Sequence, residues 1–321
     1  MTTPGIESAE SQQPLAPLDL TVGPVLYHWP RATLLDFYAG VADSPARTVV
    51  LGEVVCARRR ELRLPDWLAL GRELQRAGKQ VVLATQALVE TEADLRLIEH
   101  QAEQSEFAVE AGDASALQLL AGRVPLVLGP HLNIYSQQAL LEHADLGATR
   151  WVAPAELALD AVARINPPTA PVLGAGGQPL QTEVWAFGRV PLSFSVRCFT
   201  ARHHGVAKDS CGFVCLSDAD GLAMNSSDGA PFLVLNGTQT QSAAVQCLLG
   251  DASALRAAGV NSLRLSPCAR GFLQVLRDFD AVLHQQGAAD PVMVAWPALG
   301  VPGPYGNGYA RHQPGMAWSE T

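Results

Sequence analysis

The chain has 321 residues, 48% of them hydrophobic, and carries 22 Lys+Arg against 31 Asp+Glu for a net charge of −9. That is enough apolar material for a large core, and the composition excludes an intrinsically disordered chain. The acidic balance excludes a general nucleic-acid binder, which needs a basic face, and no apolar run reaches the ~18–20 residues of a membrane-spanning helix.

Residues 1–20 contain Glu7, Glu10 and Asp19 but no Lys or Arg, so they read as a disordered tail and not as a secretory leader; the expected location is cytoplasmic. Apolar runs then alternate with helix-period segments. A first strand is expected over 24–29 (PVLYHW), and Pro30 opens a helix that places Leu34, Tyr38 and Val41 on one face. A strand over 48–51 precedes a helix starting at Pro65 and Asp66, with Trp67, Leu70 and Leu74 inward and Gly78 as its stop. Further strands are expected over 80–84, 107–110, 125–128 and 149–152. Between them, Thr91 and Asp94 have capping-box spacing, Ser136 caps a helix, and Pro154 starts another that runs to Ile165.

A seventh strand is expected over 181–187, followed by an interruption over 188–230 rich in Cys, Gly, Ser and Asp. The runs 232–235 and 261–265 read as further strands, with helices over 242–258 and 271–286. Repeated strand–helix alternation implies a parallel sheet with crossover helices. With about eight strands, the sequence predicts a TIM-like (β/α)8 barrel, a single domain over 21–321 carrying the long Cys-bearing insertion after the seventh strand. A doubly wound sheet is the alternative, weakened because neither GxGxxG nor a Walker loop is present.

Barrels place function at the C-terminal ends of their strands. Those ends carry Glu53, Cys56, Thr85, Glu110, Asp113, His131, Asn133, Glu156 and Ser266. Taken singly, the Asp and Ser residues read first as helix caps; taken together, the set would face one mouth.

The strongest local feature is RCFTARHHGVAKDSCGFVC, which spaces Cys198, Cys211 and Cys215 as C-x12-C-x3-C. Thiolates this close repel unless a cation shares them. A fourth ligand is needed, and Cys56 in GEVVC is the first choice because its strand ends at the same face; His203 or His204 would suit zinc, and Cys268 is a weaker alternative. Arg58, Arg59 and Arg60 after Cys56, with Arg197, Arg202 and Lys208 in the loop, supply positive charge that favours thiolates. Spacing alone does not separate zinc from iron–sulfur, although the chain lacks the paired C-x2-C knuckles usual in structural zinc sites. Cys247 reads as a buried small hydrophobe. Neither G-x-S-x-G nor H-E-x-x-H occurs, which leaves serine hydrolase and zinc protease chemistry without a motif.

The segments GPVLYHWP, LGEVVCARRR, KQVVLATQALV, VPLVLGPHLNIYS, SFSVRCFTARHHGVAKDSC and FLVLNGTQT resemble the UbiV family, ubiquinone-biosynthesis proteins within the collagenase-like peptidase superfamily. The resemblance runs from about Val22 to the NGY at Tyr309. It implies a TIM-like barrel with a 4Fe–4S cluster on Cys56, Cys198, Cys211 and Cys215. It also implies a UbiU-like paralogue as heterodimer partner, a lipid-carrier protein that presents the quinone precursor, and oxygen-independent ring hydroxylation. The superfamily's His-Gly-Ala segment with its extra cysteine is replaced here by Phe187-Gly188-Arg189-Val190-Pro191-Leu192, so the resemblance implies a member that is not a peptidase. Two other functions are compatible with the residues: hydroxylation of RNA bases, as in related superfamily members, and a zinc-stapled scaffold without catalysis.

Overall fold

The computed structural model describes residues 17–284 and 287–320. The expected tail over 1–16 lies outside the described residues. Twelve strands follow in chain order: β1 (Asp19–Val22), β2 (Thr48–Leu51), β3 (Gln80–Ala84), β4 (Ala108–Ala111), β5 (Leu126–Leu128), β6 (Ala148–Val152), β7 (Gln181–Phe194), β8 (Leu222–Asn225), β9 (Pro231–Asn236), β10 (Gln239–Cys247), β11 (Ser262–Leu265) and β12 (Tyr305–Gly306). Strands β1 to β7 pair in parallel in sequence order, and β11 pairs in parallel with both β7 and β1, which closes an eight-stranded barrel.

The helices are α1 (Arg31–Ala42), α2 (Leu64–Arg76), α3 (Glu92–Glu103), α4 (Ala114–Leu120), α5 (Gln137–Ala144), α6 (Leu159–Ile165), α7 (Phe199–His203), α8 (Ala252–Ala257), α9 (Phe272–His284) and α10 (Ala289–Ala295). The expected inward stripe of α1 is the observed one: Leu34, Tyr38 and Val41 are buried. Thr91 and Asp94 close the capping box of α3, and Ser136 accepts from the Ala139 N–H at the start of α5.

Ring strands such as β2 are buried on both faces, which is why they read as unbroken apolar runs. One face packs against the helices in the main core. The other fills the barrel with Leu26, Val50, Val82, Val127, Val152 and Trp185. The barrel interior also holds charge. Arg264 on β11 reaches Glu110 on β4, the strand diametrically opposite in the ring, with Nη1–Oε1 at 2.9 Å, and Glu183 on β7 with Nε–Oε1 at 2.6 Å. Glu183 also accepts from Thr21, Arg150 and Ser262. One guanidinium thus ties three strands across the lumen.

Four expectations are corrected. The first strand is Asp19–Val22, so the ordered domain begins inside the segment assigned to the tail, and Leu18 and Leu20 are core residues. Residues 24–29 form no strand. Pro24 has no N–H for a ladder, and the segment turns inward so that Leu26 plugs the barrel and Tyr27 and Trp29 are buried. The expected helix over 242–258 is strand β10 followed by the short α8. Pairing of Gln239–Gln241 and Val245–Cys247 with β7, and of Gln239–Ser242 with β9, makes this a strand, and Ala243 and Ala244 are carried in the irregularity between the paired runs. The run 232–235 lies in β9, outside the ring.

β7 explains the geometry of the insertion. It is a barrel stave up to Phe187 and then continues to Phe194 as a wall of an antiparallel β7–β10–β9–β8 sheet. The switch falls at Gly188, whose φ of +116° and absence of a Cβ are both required, since a Cβ there would lie 2.5 Å from that of Ser266.

Candidate thiol centre and barrel mouth

Cys56 sits in a turn built by its own sequence. Glu53 Oε1 accepts from the N–H groups of Val55 (2.9 Å) and Cys56 (3.0 Å), folding the chain after β2 back on itself. The next turn brings in Arg59, which is buried. Its guanidinium donates to Leu26 O and Asn236 Oδ1, both at 2.8 Å, and stands 3.8 Å from Glu53. The turn between β9 and β10 docks on the same loop: Thr238 Oγ1 donates to Val55 O, and Gly237 leaves room for Arg59, whose Nη2 would be 2.7 Å from any Cβ.

The Gly237 carbonyl accepts the Phe199 N–H at 2.8 Å, and the Gly237 N–H donates to Thr200 Oγ1 at 2.9 Å. The start of α7, with Cys198 as its N-cap, is therefore held against the turn that rests on the Cys56 loop. Arg58 fastens the rest of the insertion by donating to Asp209 O at 2.7 Å, two residues before Cys211. Consecutive left-handed residues Gly212 and Phe213 then reverse the chain so that Cys215 follows within one tight turn.

All four expected ligands are half-buried, whereas Cys247 and Cys268 are buried elsewhere. Cys247 packs on Met293 and its thiol is pushed up to about 12 by burial. Cys268 donates to Arg270 O, and burial with the nearby Asp220 carboxylate pushes its thiol up. His203 and His204 are exposed and meet edge-on at 5.2 Å.

Burial raises the Cys215 thiol, with Arg59 opposing and Cys198 and Cys211 adding to the rise. Burial likewise raises Cys56, against the Arg58 N–H and the Arg59 charge. Arg59 is the cation common to both, although within its triplet it has the appearance of one more solvated basic residue. His28 was not singled out in the sequence either. Its Nδ1 lies 3.4 Å from Cys215 Sγ, its ring meets Phe213 edge-on at 5.3 Å, and burial holds its pKa down at about 4. The signal is in GPVLYHWP, a polar ring in an apolar run bounded by prolines. Among the described residues no three Cys, His, Asp or Glu side chains close tightly enough to hold a single metal ion. Four cysteines, two of which feel the Arg59 charge, are the donor set that a four-iron cluster takes.

The expected strand-end residues divide. Thr85 accepts from the Gly112 N–H, Asp113 caps α4, Ser266 is buried behind Gly188, and Glu110 is inside the barrel. His131, Asn133 and Glu156 do converge, with Trp185, Ser193 and Phe194, around a mouth cavity of about 270 Å³. Phe194 belongs to the part of β7 that leaves the ring and meets the His131 ring edge-on at 4.8 Å. Burial and the Arg264 charge below lower His131 to about 4, so it is neutral at pH 7. Glu156 accepts from Tyr135 Oη, Asn133 is held at φ +56°, and the buried Trp185 Nε1 has no partner among the described residues. A cavity with aromatic walls, a neutral imidazole and a carboxylate is equipped to hold a flat polar ring and exchange its protons.

The closed ring of parallel strands and its cross-lumen ion cluster define an α/β-barrel protein. The chain belongs to peptidase family U32, whose profile matches residues 36–278. Solved structures similar to it include a U32 peptidase (10% identity, 82% of this chain and 98% of that one, TM-score 0.42). A phospho-2-dehydro-3-deoxyheptonate aldolase from Thermotoga maritima is also similar (13%, 89% and 72%, 0.42), as is the spore cortex-lytic enzyme SleL of Bacillus megaterium (11%, 83% and 75%, 0.41). No helix among the described residues is long and apolar enough to cross a membrane.

Proposed function

We propose that Cys56, Cys198, Cys211 and Cys215 hold a 4Fe–4S cluster, and that this U32 chain is the UbiV-type subunit of an oxygen-independent hydroxylation system for ubiquinone biosynthesis. The observation that carries the reading is a set of half-buried thiols on two distant segments whose loops are tied to each other by the Glu53 turn, the Gly237 turn and Arg59. When bound, the cluster supplies one-electron chemistry. This chain's own residues do the rest. Arg59 offsets thiolate charge, His28 covers Cys215, and the mouth cavity receives a ring whose protons His131 and Glu156 accept.

A UbiU-like partner and a lipid-carrier protein that presents the precursor complete the proposed system. The partnership is supported by the outer surface of the insertion and the β7–β10–β9–β8 sheet, where Leu192, Val196, Val206, Leu216 and Phe232 are exposed. Scattered apolar side chains are ordinary on a surface, and these five on one excursion are the apolar material that a partner would cover.

The test is protein purified without oxygen and measured for iron, acid-labile sulfide, absorption and EPR. About four irons and four sulfides per chain are expected. Alanine at any of the four ligands lowers iron sharply, whereas Cys247→Ala keeps it. Zinc without sulfide, or full iron in Cys56→Ala, overturns the assignment. In cells, deleting the gene should abolish ubiquinone synthesis only without oxygen, with rescue by the native chain and not by Cys211→Ala.

A further inference from the structure

His28 stands against Cys215 because the segment that carries it is anchored on both sides. Leu26 O accepts from Arg59 Nη1 and from Asn236 Nδ2, both at 2.8 Å, and Trp29 Nε1 donates to Ala219 O at 2.7 Å, just beyond Cys215 in the chain. His28 lies between these anchors and is 3% exposed. Its Nδ1 is 3.4 Å from Cys215 Sγ, the Phe213 ring meets it edge-on, and its Nε2 is 3.5 Å from Glu61 Oε1. Glu61 is itself fixed at the start of α1: its Oε2 accepts the Arg31 N–H at 3.0 Å, and its carbonyl accepts from Arg31 Nη1 at 2.9 Å. The ring is thus held by neighbours from three segments, and its contact with the sulfur is built into the fold.

A free thiol can donate to Nδ1, but a sulfur bound to iron carries only lone pairs and can only accept. In the iron-loaded chain the contact is therefore Nδ1–H donating to Cys215 Sγ, whatever Nε2 carries. Cys198 and Cys56 take their donors from the backbone, the N–H groups of Ala201 (3.4 Å) and Arg58. Cys215 feels the Arg59 charge and, in His28, has a donor supplied by a side chain 187 residues away. Hydrogen bonds to the sulfurs are one of the levers that set an iron–sulfur potential: the donor's positive end favours the form that holds the extra electron.

We infer that His28 raises the reduction potential of the cluster by donating its Nδ1–H to Cys215 Sγ. This rests on the proposed cluster and adds a residue that tunes it without ligating it. His28 is a positioning residue here, and no proton leaves it when one electron enters. His28→Phe keeps an aromatic ring against Phe213 but removes the donor. It should make reduction about tenfold less favourable, a shift of about 59 mV to lower potential for one electron. His28→Asn puts an amide N–H where Nδ1 stood and should keep the native potential.

The test is a dithionite titration of the full chain, purified without oxygen and followed by EPR, for the native protein, His28→Phe and His28→Asn at one pH. Iron and sulfide are counted first, and all three should hold about four of each. A role in packing alone predicts the opposite ranking, because the smaller Asn would admit water and shift the potential while Phe would match the native chain. A second measurement needs no variant to fold. With ring-labelled nitrogen-15 histidine in the native chain, pulsed EPR of the reduced state should show an imidazole nitrogen coupled to the cluster. Absence of iron and sulfide from the native chain overturns the cluster and this inference together. A native cluster whose potential changes less than about twofold in equilibrium constant with His28→Phe, a reversed ranking, or no coupled imidazole nitrogen overturns the role of His28 and leaves the cluster standing.

Discussion

Replacing Arg264 with Met removes the one guanidinium that spans the barrel. Arg264 is 1% exposed, and its loss strands Glu110 with no cation while Glu183 keeps only Arg150. Breaking a buried pair by removing one partner costs about 3–5 kcal/mol, because the remaining charge is uncompensated. For a chain of this size that lowers the melting midpoint by roughly 5–15 °C. Adding Glu110→Gln should restore at least about 2 kcal/mol, a coupling readable from a double-mutant cycle of denaturant unfolding. The pH dependence carries a sign. Burial pushes the Glu183 carboxyl up, but Arg264 and Arg150 outweigh it and hold it below its ordinary 4.5. In the native chain this contributes stability present above pH 4.5 and lost as pH falls through the folded value. Without Arg264, burial weighs more against the Glu183 charge, so the variant is relieved by protonation of that carboxylate and its deficit narrows as pH falls from 7 toward 4.5. A deficit under about 1 kcal/mol at neutral pH, or one that grows on acidification, would refute the cross-lumen reading.

Arg59→Met should cost about 3 kcal/mol in denaturant unfolding of the metal-free chain, since two charged hydrogen bonds to Leu26 O and Asn236 Oδ1 are lost; Arg59→Lys should not recover it, because a single ammonium cannot serve both acceptors at this geometry. His131, lowered from 6.5 to about 4, binds fewer protons folded than unfolded in that window; stability present above pH 6.5 is lost as pH falls toward 4, and His131→Gln should flatten this part of the denaturation-midpoint profile. Co-expression with a UbiU-like paralogue should give one complex on gel filtration that Phe232→Asp disrupts; separate elution at micromolar concentration would remove the partnership.

Local sequence signals were enough wherever the local signal and the tertiary environment agreed. The ring strands β2 and β3 read directly, because a stave buried on both faces must be an apolar run, and α3 read from its Thr91–Asp94 box because capping is settled within four residues. Family membership was legible in the Cys56 and Cys198–Cys215 segments, where the resemblance rests on residue types and spacing and not on an apolar period. Other features required the folded chain. An apolar run such as 24–29 satisfies a strand and a barrel plug equally well, and only the closed ring leaves a hole for Leu26 to fill. The alanines at 243 and 244 favour a helix, and the strand is decided on either side of them, where Gln239–Gln241 and Val245–Cys247 pair with the far half of β7. Arg264, Glu110 and Glu183 are 154 and 81 residues apart in the pairs they form, so nothing local could join them. The same holds for His28 and Cys215, 187 residues apart, and for Arg59. A side chain's charge can be read from the sequence, but whether it faces water, a thiol or an opposing carboxylate is fixed only when the ring closes and brings distant strand ends together.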